Sequence, residues 1–312
     1  MSDRSVLVLG GNGFIGSHVV DQLTGDGNRV TVFDRFGLAE PRFNQSGVRV
    51  IDGDFLNVED LKNAVQGCDT VVHLISTTNP LTAEADPLLD INTNLTGSVA
   101  LFEVCAASSS VERIVFASSG GTVYGNGCGM LSEDSPTQPI SPYGICKLAT
   151  ENYLRFFGAT TRLTSVSLRI ANPYGDRQPL GRSQGVIPIF IERLLKSMPL
   201  TVFGDGTMVR DYLYVTDVAV AISRVVACDK PQKSVYNIGS GVGHSVNDIV
   251  AAIEKATGRP AQIEHRDQPK SFAQSVVLDT HRFTQEFGWH PTVGLDEGVA
   301  MTVEYLRTQL GL

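Results

Sequence analysis

Apolar residues fall along this chain in short β-branched runs, separated by longer stretches whose apolar positions recur with a helical period. Residues 6–9, 30–33, 48–52, 70–75, 113–118 and 164–169 form the runs and read as strands. Most are apolar without interruption, the pattern of strands buried on both faces of a parallel sheet. Residues 15–25, 58–66, 91–107 and 142–157 lie between them and read as helices. The alternation predicts an α/β fold with a doubly wound parallel sheet and right-handed crossovers.

After residue 172 the texture changes. Residues 172–184 are rich in Pro, Gly and Arg and read as a functional loop, 185–198 and 217–228 as helices, and 235–238 as the last strand of the main sheet. Ser245-Val246-Asn247-Asp248 has the form of a capping box before a helix over 249–257, and 295–310 closes the chain as an amphipathic helix. No repeat or low-complexity run separates two halves. A smaller α/β domain is therefore expected to be interleaved with the first, residues 1–172 and 212–238 forming one unit and 173–211 and 239–312 the other.

Composition narrows the class. Of 312 residues 42% are hydrophobic and 19% charged, enough for a sizeable core. A net charge of −8 argues against general binding to nucleic acid or an anionic membrane. The five cysteines are scattered and form no C-x-x-C pair, which fits reduced thiols rather than a disulfide framework or a zinc site. Cys128 reads as a free loop thiol. Glu133 and Asp134 have no histidine nearby with which to hold a metal, and no G-x-S-x-G elbow is present. The first residues lack a signal-peptide pattern, and no apolar stretch approaches the roughly 20 residues that span a bilayer. A cytoplasmic protein is expected.

The chemistry begins at Gly10-Gly11-Asn12-Gly13-Phe14-Ile15-Gly16, which follows the first strand and opens the first helix. Small residues there let the backbone approach a pyrophosphate, whose charge then lies at a helix N-terminus. Asp34 ends the second strand, roughly 20 residues on, where a carboxylate can bind both hydroxyls of a ribose. Its charge would repel a 2′-phosphate and favour NAD over NADP, while Arg35 beside it could accept that phosphate. Asp54, after the third strand, could hydrogen-bond the adenine amine.

Ser141-Pro142-Tyr143-Gly144-Ile145-Cys146-Lys147 is the most informative stretch. Ser141 suits an N-cap and Pro142 the first helical position, which puts Tyr143 and Lys147 on one face, four residues apart. A phenol ionises near pH 10 in water, about three units above neutrality, and a neighbouring ammonium favours its phenolate. The pair is thus suited to proton transfer.

With these residues in place, the chain resembles the extended short-chain dehydrogenase/reductase family, in its NAD-dependent sugar-nucleotide epimerase/dehydratase branch. The motifs run nearly the whole length. Besides the Gly10–Gly16 turn and Tyr143 with Lys147 they include His73-Leu74-Ile75-Ser76, Asn94-Leu95-Thr96-Gly97 and Ser118-Ser119-Gly120-Gly121-Thr122-Val123-Tyr124-Gly125. Arg169-Ile170-Ala171-Asn172-Pro173-Tyr174-Gly175 and Gly204-Asp205-Gly206-Thr207-Met208-Val209-Arg210-Asp211-Tyr212 complete the set. The resemblance implies a Rossmann-like sheet, NAD as cofactor and a nucleotide-diphosphate sugar as substrate. It implies that Gly10, Gly13, Phe14, Ile15, Gly16, Asp34, Arg35, Asp54, Phe55, Leu74, Ile75, Ser76, Asn94 and Ser118 line the cofactor together with Tyr143 and Lys147. Tyr143 would transfer the proton, and Lys147 would hold the nicotinamide ribose and tune Tyr143. Asn172 and Arg210 would bind the substrate diphosphate, Thr201 and Phe203 would pack against its base, and Val186 and Phe190 would line the same site. Arg266 or Lys270 would add a second phosphate contact. A homodimer packed through residues 91–107 and 142–157 is implied as well.

One departure bears on the reaction. The position usually held by a catalytic Ser or Thr is Gly120, so its hydroxyl duty passes to Ser119 or Thr122, with Thr122 preferred. Gly120-Gly121 also supplies no carboxylate, so β-elimination from the sugar lacks its acid and base. The leading expectation is a 4-epimerase of a nucleotide-diphosphate hexose, of the UDP-glucose/UDP-galactose type, acting through a 4-keto sugar. The alternative is a 4-keto reductase of a 6-deoxy nucleotide sugar, which Gly120-Gly121 and Ser271-Phe272…Val277-Leu278-Asp279 also fit. A regulator that senses the dinucleotide without catalysis is the third, and the presence of both Tyr143 and Lys147 argues against it.

Overall fold

A computed structural model describes residues 4–37, 39–127, 129–180, 185–267 and 273–312. Cys128, Lys270, Ser271 and Phe272 lie outside the described residues. Seven parallel strands form the main sheet: β1 (Ser5–Leu9), β2 (Arg29–Asp34), β3 (Arg49–Asp52), β4 (Thr70–His73), β5 (Arg113–Ser119), β6 (Thr164–Ile170) and β7 (Val235–Ile238). Their spatial order is β3-β2-β1-β4-β5-β6-β7, a Rossmann-like sheet as expected. All seven strand expectations fall on it to within two residues. The strand order reverses between β1 and β4, so the loops that follow those two strands diverge there and leave a crevice for a ligand.

Alternation along each strand feeds two cores. Val6 and Val8 of β1 pack with Val72, Val115 and Val166 against the helices Phe14–Gly25 and Val215–Ala227. Leu7 and Leu9 face the other way, with Phe33, Val71, Ile114 and Phe116, against the helices Val58–Ala64, Thr96–Ala107 and Pro142–Thr160. Both faces of the sheet are covered, which is why its strands read as unbroken apolar runs. Arg113, buried at the start of β5, donates to the carbonyls of Val225, Val226 and Cys228 and so caps the C-terminal end of the helix Val215–Ala227.

The rest of the chain builds two smaller sheets. Val209–Tyr214 pairs with Gly243–Ser245, Ser275–Leu278 and Asn172–Tyr174, and Ser275–Leu278 pairs in turn with Met130–Leu131. Leu200–Phe203 pairs with Ile263–Arg266. A third apolar cluster joins Asn172–Tyr174, Leu200–Phe203 and Val209–Tyr214 to the helices Val186–Leu195, Val246–Thr257 and Leu295–Leu310, and a fourth gathers Leu131, Val276 and Leu278 with Val123 and Tyr124. The expected boundary at residue 212 falls inside Val209–Tyr214, and the segment read as all loop from 172 begins with the strand Asn172–Tyr174. Both strands are too short, and too mixed in character, to announce themselves by periodicity. Residues 91–107, read as one helix, open with a π segment at Ile91–Leu95, where the Thr96 N–H reaches back five residues to the Ile91 carbonyl. Among the described residues, no helix is long and apolar enough to cross a membrane.

Candidate active site

The glycine-rich turn sits on the crevice between β1 and β4. Gly10 has φ +80°, and a Cβ there would lie 3.1 Å from the Ile75 N, so the turn lies tight against the segment after β4. A Cβ on Gly16 would fall 2.0 Å from the Gly10 carbonyl oxygen. Only glycine lets the helix Phe14–Gly25 start this close to the strand, with the free N–H groups of its first turn facing the crevice. Phe14 and Ile15 are half-buried and pack towards the smaller sheets.

Asp34 closes the crevice at the end of β2. Its carboxylate accepts from the Asn12 N–H at 2.8 Å and the Arg35 N–H at 2.8 Å. Burial raises its pKa, and those two backbone hydrogen bonds oppose the shift. The Arg35 guanidinium turns away and pairs with Asp54 at 2.6 Å, and the other Asp54 oxygen accepts from the Leu56 N–H. Arg35 and Asp54 therefore neutralise each other on the surface, and the charges that act on Asp34 are those of Arg42 and Asp52. Phe55 is buried against the His73 ring. Turn, helix N-terminus and carboxylate together fit a dinucleotide whose 2′-hydroxyl carries no phosphate.

The pair expected to be catalytic, Tyr143 and Lys147, comes from the helix Pro142–Thr160, capped by Ser141, whose hydroxyl accepts from the Gly144 N–H. Lys147 is buried. Its Nζ donates to the Ala117 carbonyl at 2.9 Å and lies 5.6 Å from the Tyr143 ring centroid and 4.9 Å from that of Phe116. One turn further on, Glu151 continues the same face. It accepts from the Ser118 hydroxyl at 2.5 Å and pairs with Arg169 at 2.8 Å, with both side chains buried. Arg169 in turn donates to the Tyr124 hydroxyl, which donates to Asn237. The helix that carries Tyr143 and Lys147 is thus tied to β5 and β6 by an internal ion pair. Glu151 and Arg169 were not singled out from sequence, although Glu151 follows Tyr143 by two four-residue steps on one helix face, a spacing that could have found it.

Three residues expected at the cofactor have their polar groups committed elsewhere. Ser118 spends its hydroxyl on Glu151. The Asn94 amide accepts from the Thr77 N–H at 2.8 Å and donates to the Thr78 hydroxyl at 2.7 Å and to Asp90 at 2.6 Å. It acts on the site through residues 76–78, which it holds down after β4. Ser76 donates to the Thr78 carbonyl within that same segment, while Leu74 and Ile75 are half-buried beside it. A small cavity lined by Ile75, Asp90, Asn94, Tyr143, Cys146 and Lys147 lies at this junction.

On the opposite side stand the residues expected to bind substrate. Asn172 donates to the Asp211 carbonyl at 3.0 Å, and Asp211 is pinned by Ser240 and the Gly241 N–H. Arg210 is partly buried, donates to the carbonyls of Val209 and Ala273 at 2.7 and 2.6 Å, and has no carboxylate partner among the described residues. Burial lowers its pKa, yet it remains a cation. A desolvated guanidinium without an acid is suited to a phosphate. Val186 and Phe190 stand one turn apart on the helix Val186–Leu195, Phe190 being buried in the third cluster. Thr201 and Phe203 lie on Leu200–Phe203, with Arg266 paired in register with Phe203 and exposed at that edge.

Gly120 and its neighbours show why the hydroxyl position is a glycine. A Cβ on Gly120 would fall 2.5 Å from the Leu278 Cδ1 and 2.9 Å from the Arg169 carbonyl oxygen. Leu278 occupies the space a serine would use. Ser119 precedes the short helix Gly120–Val123 and makes no capping bond with its side chain, and the Thr122 hydroxyl makes only a long contact of 3.5 Å to the Ser119 carbonyl.

A family model described as "NAD dependent epimerase/dehydratase family" matches residues 6–239. The chain is 33% identical to the UDP-glucose 4-epimerase of Mycolicibacterium smegmatis, over 97% of this chain and 98% of that protein. It is 32% identical to the dTDP-4-dehydro-6-deoxyglucose reductase of Escherichia coli, again over 97% and 98%. Its fold superposes on the UDP-glucose 4-epimerase of Thermotoga maritima, crystallised with UDP-glucose, with a TM-score of 0.91 at 35% identity, covering 98% of this chain and 99% of that one. With a phosphate turn at the sheet's reversal point, a Tyr–Lys pair on the adjoining helix and a match over three-quarters of its length, the chain belongs to the NAD-dependent epimerase/dehydratase family.

Proposed function

We propose that the protein is a NAD-dependent 4-epimerase of a nucleotide-diphosphate hexose, of the UDP-glucose/UDP-galactose type, acting through a 4-keto intermediate. The observation that carries this is the buried Lys147 beside the Tyr143 ring, in a cavity that is also lined by Ile75, the residue packed against the glycine-rich turn. NAD, held by the Gly10–Gly16 turn, Asp34 and Lys147, would supply hydride chemistry at C4 of the sugar. Tyr143 takes the proton from O4 and gives it back, so no net proton or electron leaves the site. Lys147, fixed on the Ala117 carbonyl, keeps a positive charge beside the Tyr143 ring throughout. Arg210 and Asn172 hold the diphosphate, and Thr201 and Phe203 flank the base, so the sugar is free to turn at the end of an anchored nucleotide. Ser119 and Thr122 are the hydroxyls left to bridge Tyr143 and O4, Thr122 being preferred. We assign the large sheet to the cofactor, and the smaller sheets with their helices to the sugar nucleotide.

The reductase reading keeps one observation in its favour: the E. coli relative, equally similar over the same length, is a 4-keto-6-deoxy sugar reductase by name. The two readings differ in whether the cofactor stays. Purified enzyme is mixed with UDP-, dTDP- and GDP-hexoses without added cofactor, and the products are identified. A 4-epimer formed over many turnovers is the expected result. No product until NAD(P) or NAD(P)H is supplied, followed by net oxidation or reduction, transfers the assignment to the reductase. Tyr143→Phe is expected to lower turnover by about 10²–10⁴-fold with cofactor binding intact, an outcome that also sets the enzyme apart from a dinucleotide sensor. A homodimer in the cytoplasm completes the reading, and among the described residues Cys68, Cys105, Cys146 and Cys228 are free thiols, which fit a reducing compartment.

A further inference from the structure

Three segments distant in sequence converge around the glycine-rich turn, and one chain of hydrogen bonds joins them. Asn12, within the turn, donates its N–H to Asp34 at 2.8 Å, and its side-chain oxygen accepts the Arg42 N–H at 2.8 Å. Its amide nitrogen reaches the Glu40 carbonyl at 3.5 Å. Residues 39–44 therefore lie across the turn, beyond the carboxylate of Asp34. Their far end is held by Asp21, on the helix that the turn opens, which accepts the Asn44 N–H at 2.7 Å.

The second oxygen of Asp21 pairs with Arg177 at 2.7 Å, and the Arg177 carbonyl accepts from the Arg42 guanidinium at 3.4 Å. Arg177 lies just beyond Asn172–Tyr174, on the substrate side. Its neighbour Asp176 is fixed by His18 Nε2 on its carbonyl at 3.0 Å and by the Tyr214 hydroxyl at 3.1 Å. Arg177 has φ +63°, a conformation uncommon for a residue with a side chain, so its contacts hold it there. Both members of the ion pair are only about 30% exposed, so solvent screens them less than a surface pair.

We propose that the Arg177–Asp21 ion pair is a clasp that keeps the dinucleotide resident, by anchoring the far end of the segment that crosses the glycine-rich turn. This rests on the reading of the protein as a NAD-dependent epimerase. A dinucleotide that lies from Asp34 across the turn leaves only when residues 39–44 part from Asn12. Asp21 accepts the Asn44 N–H and the Arg177 carbonyl accepts from the Arg42 guanidinium, so the ion pair fixes these two acceptors against each other, and without it the segment's two holds can part. Epimerisation needs a long-lived cofactor, because the hydride must return to the sugar that gave it up. The clasp also reaches the loop beside Asn172, which places cofactor retention and the substrate side in one circuit.

The test uses the enzyme as purified, with its cofactor. Arg177→Gly removes the pair and suits the left-handed backbone, and Asp21→Asn removes the charge while keeping an acceptor for the Asn44 N–H. Each protein is passed through gel filtration, its NAD is released by denaturation and quantified, and release is timed against an excess of a competing dinucleotide. Both variants are expected to lose NAD about tenfold faster than wild type or more. Their cofactor-free forms should melt at the wild-type temperature, and added NAD should restore turnover with the KM for the sugar nucleotide near wild type. Variants that keep NAD as long as a wild type that retains it overturn the clasp alone. A wild type that itself loses NAD on the column overturns the clasp and the resident-cofactor epimerase together.

Discussion

At the scale of single residues, the site is shaped by side chains that exclude alternatives. Gly120 is the sharpest case, since any side chain there must displace the Leu278 methyl or the Arg169 carbonyl. Gly120→Ala is expected to destabilise the protein by about 1–3 kcal/mol through overpacking. Leu278→Ala in the same chain should recover part of that loss, so the double variant is more stable than the sum of the single ones. Urea unfolding of the four proteins measures the coupling, and strict additivity would show that the two positions are independent. His73 carries a different constraint. It is fully buried among Phe55, Phe102 and Phe116. Ser98 gives its one hydroxyl proton to the Asn94 carbonyl, so His73 Nε2 must donate to Ser98. Burial, with the Lys147 charge nearby, lowers the His73 pKa to about 3. Above the unfolded value of about 6.5 neither state is protonated and His73 contributes no pH dependence. As pH falls below about 6.5 the unfolded chain takes up a proton that the native state refuses until about 3. Stability therefore drops over that window, by about 1.4 kcal/mol per pH unit at its steepest. The His73→Phe variant, which keeps an aromatic ring in the box, should lack this component. Subtracting its pH–stability curve from that of wild type isolates the slope, and a flat difference would refute it.

Among the elements, the helix Pro142–Thr160, which carries the proposed Tyr143–Lys147 pair, is itself held by the ion pair of Glu151 and Arg169. The pair is buried, and burial and attraction nearly cancel for such pairs, whereas a lone buried charge is expensive. Glu151→Gln is expected to cost about 3–5 kcal/mol in urea unfolding. Joint replacement by Glu151→Leu and Arg169→Met should cost far less, because no charge is then stranded. Equal losses in both proteins would mean that the network matters through its hydrogen bonds and not its charges. This element also shows what the sequence could and could not disclose. Tyr143, Lys147 and the Ser141 cap were legible because helical periodicity and capping act over a few residues, and the phosphate turn was legible for the same reason. The Arg177–Asp21 pair joins residues 156 positions apart, and the Arg210 contact to Ala273 spans 63. No local pattern encodes such meetings. The π segment at Ile91–Leu95 escaped notice because one extra residue in a helical turn leaves the apolar period nearly intact.

For the whole molecule, an apolar stripe lies on the outer side of the helix Pro142–Thr160. Ile145, Tyr153 and Phe156 are exposed, and at steps of eight and three residues they form one stripe, opposite Lys147, Glu151 and Leu154. Leu88, Leu89 and Ile91 are exposed on the neighbouring segment, Leu88 with 68% of its surface open to solvent. Contiguous apolar surface of this kind marks an interface in a water-soluble protein. Both elements meet at one patch, so a second copy related by a two-fold axis would place like against like and close the assembly at two. A stable pair of this kind covers roughly 1,200–2,000 Å² in all, which two such helical faces can supply. Sedimentation at micromolar concentration is therefore expected to show a dimer. Tyr153→Glu together with Phe156→Glu would bury two carboxylates against their own symmetry mates and should give a folded monomer with unchanged far-UV dichroism. A wild-type monomer at that concentration would leave the stripe unexplained and remove the two-fold interface. A dimer that survives both glutamates would move the interface to another face. Because Tyr143 and Lys147 project from the inner side of the same helix, the monomeric variant also separates two roles of the interface. If pairing stiffens that helix, turnover falls in the monomer while bound NAD is retained, since the helix Phe14–Gly25, which the turn opens and which carries Asp21, packs on the opposite face of the main sheet.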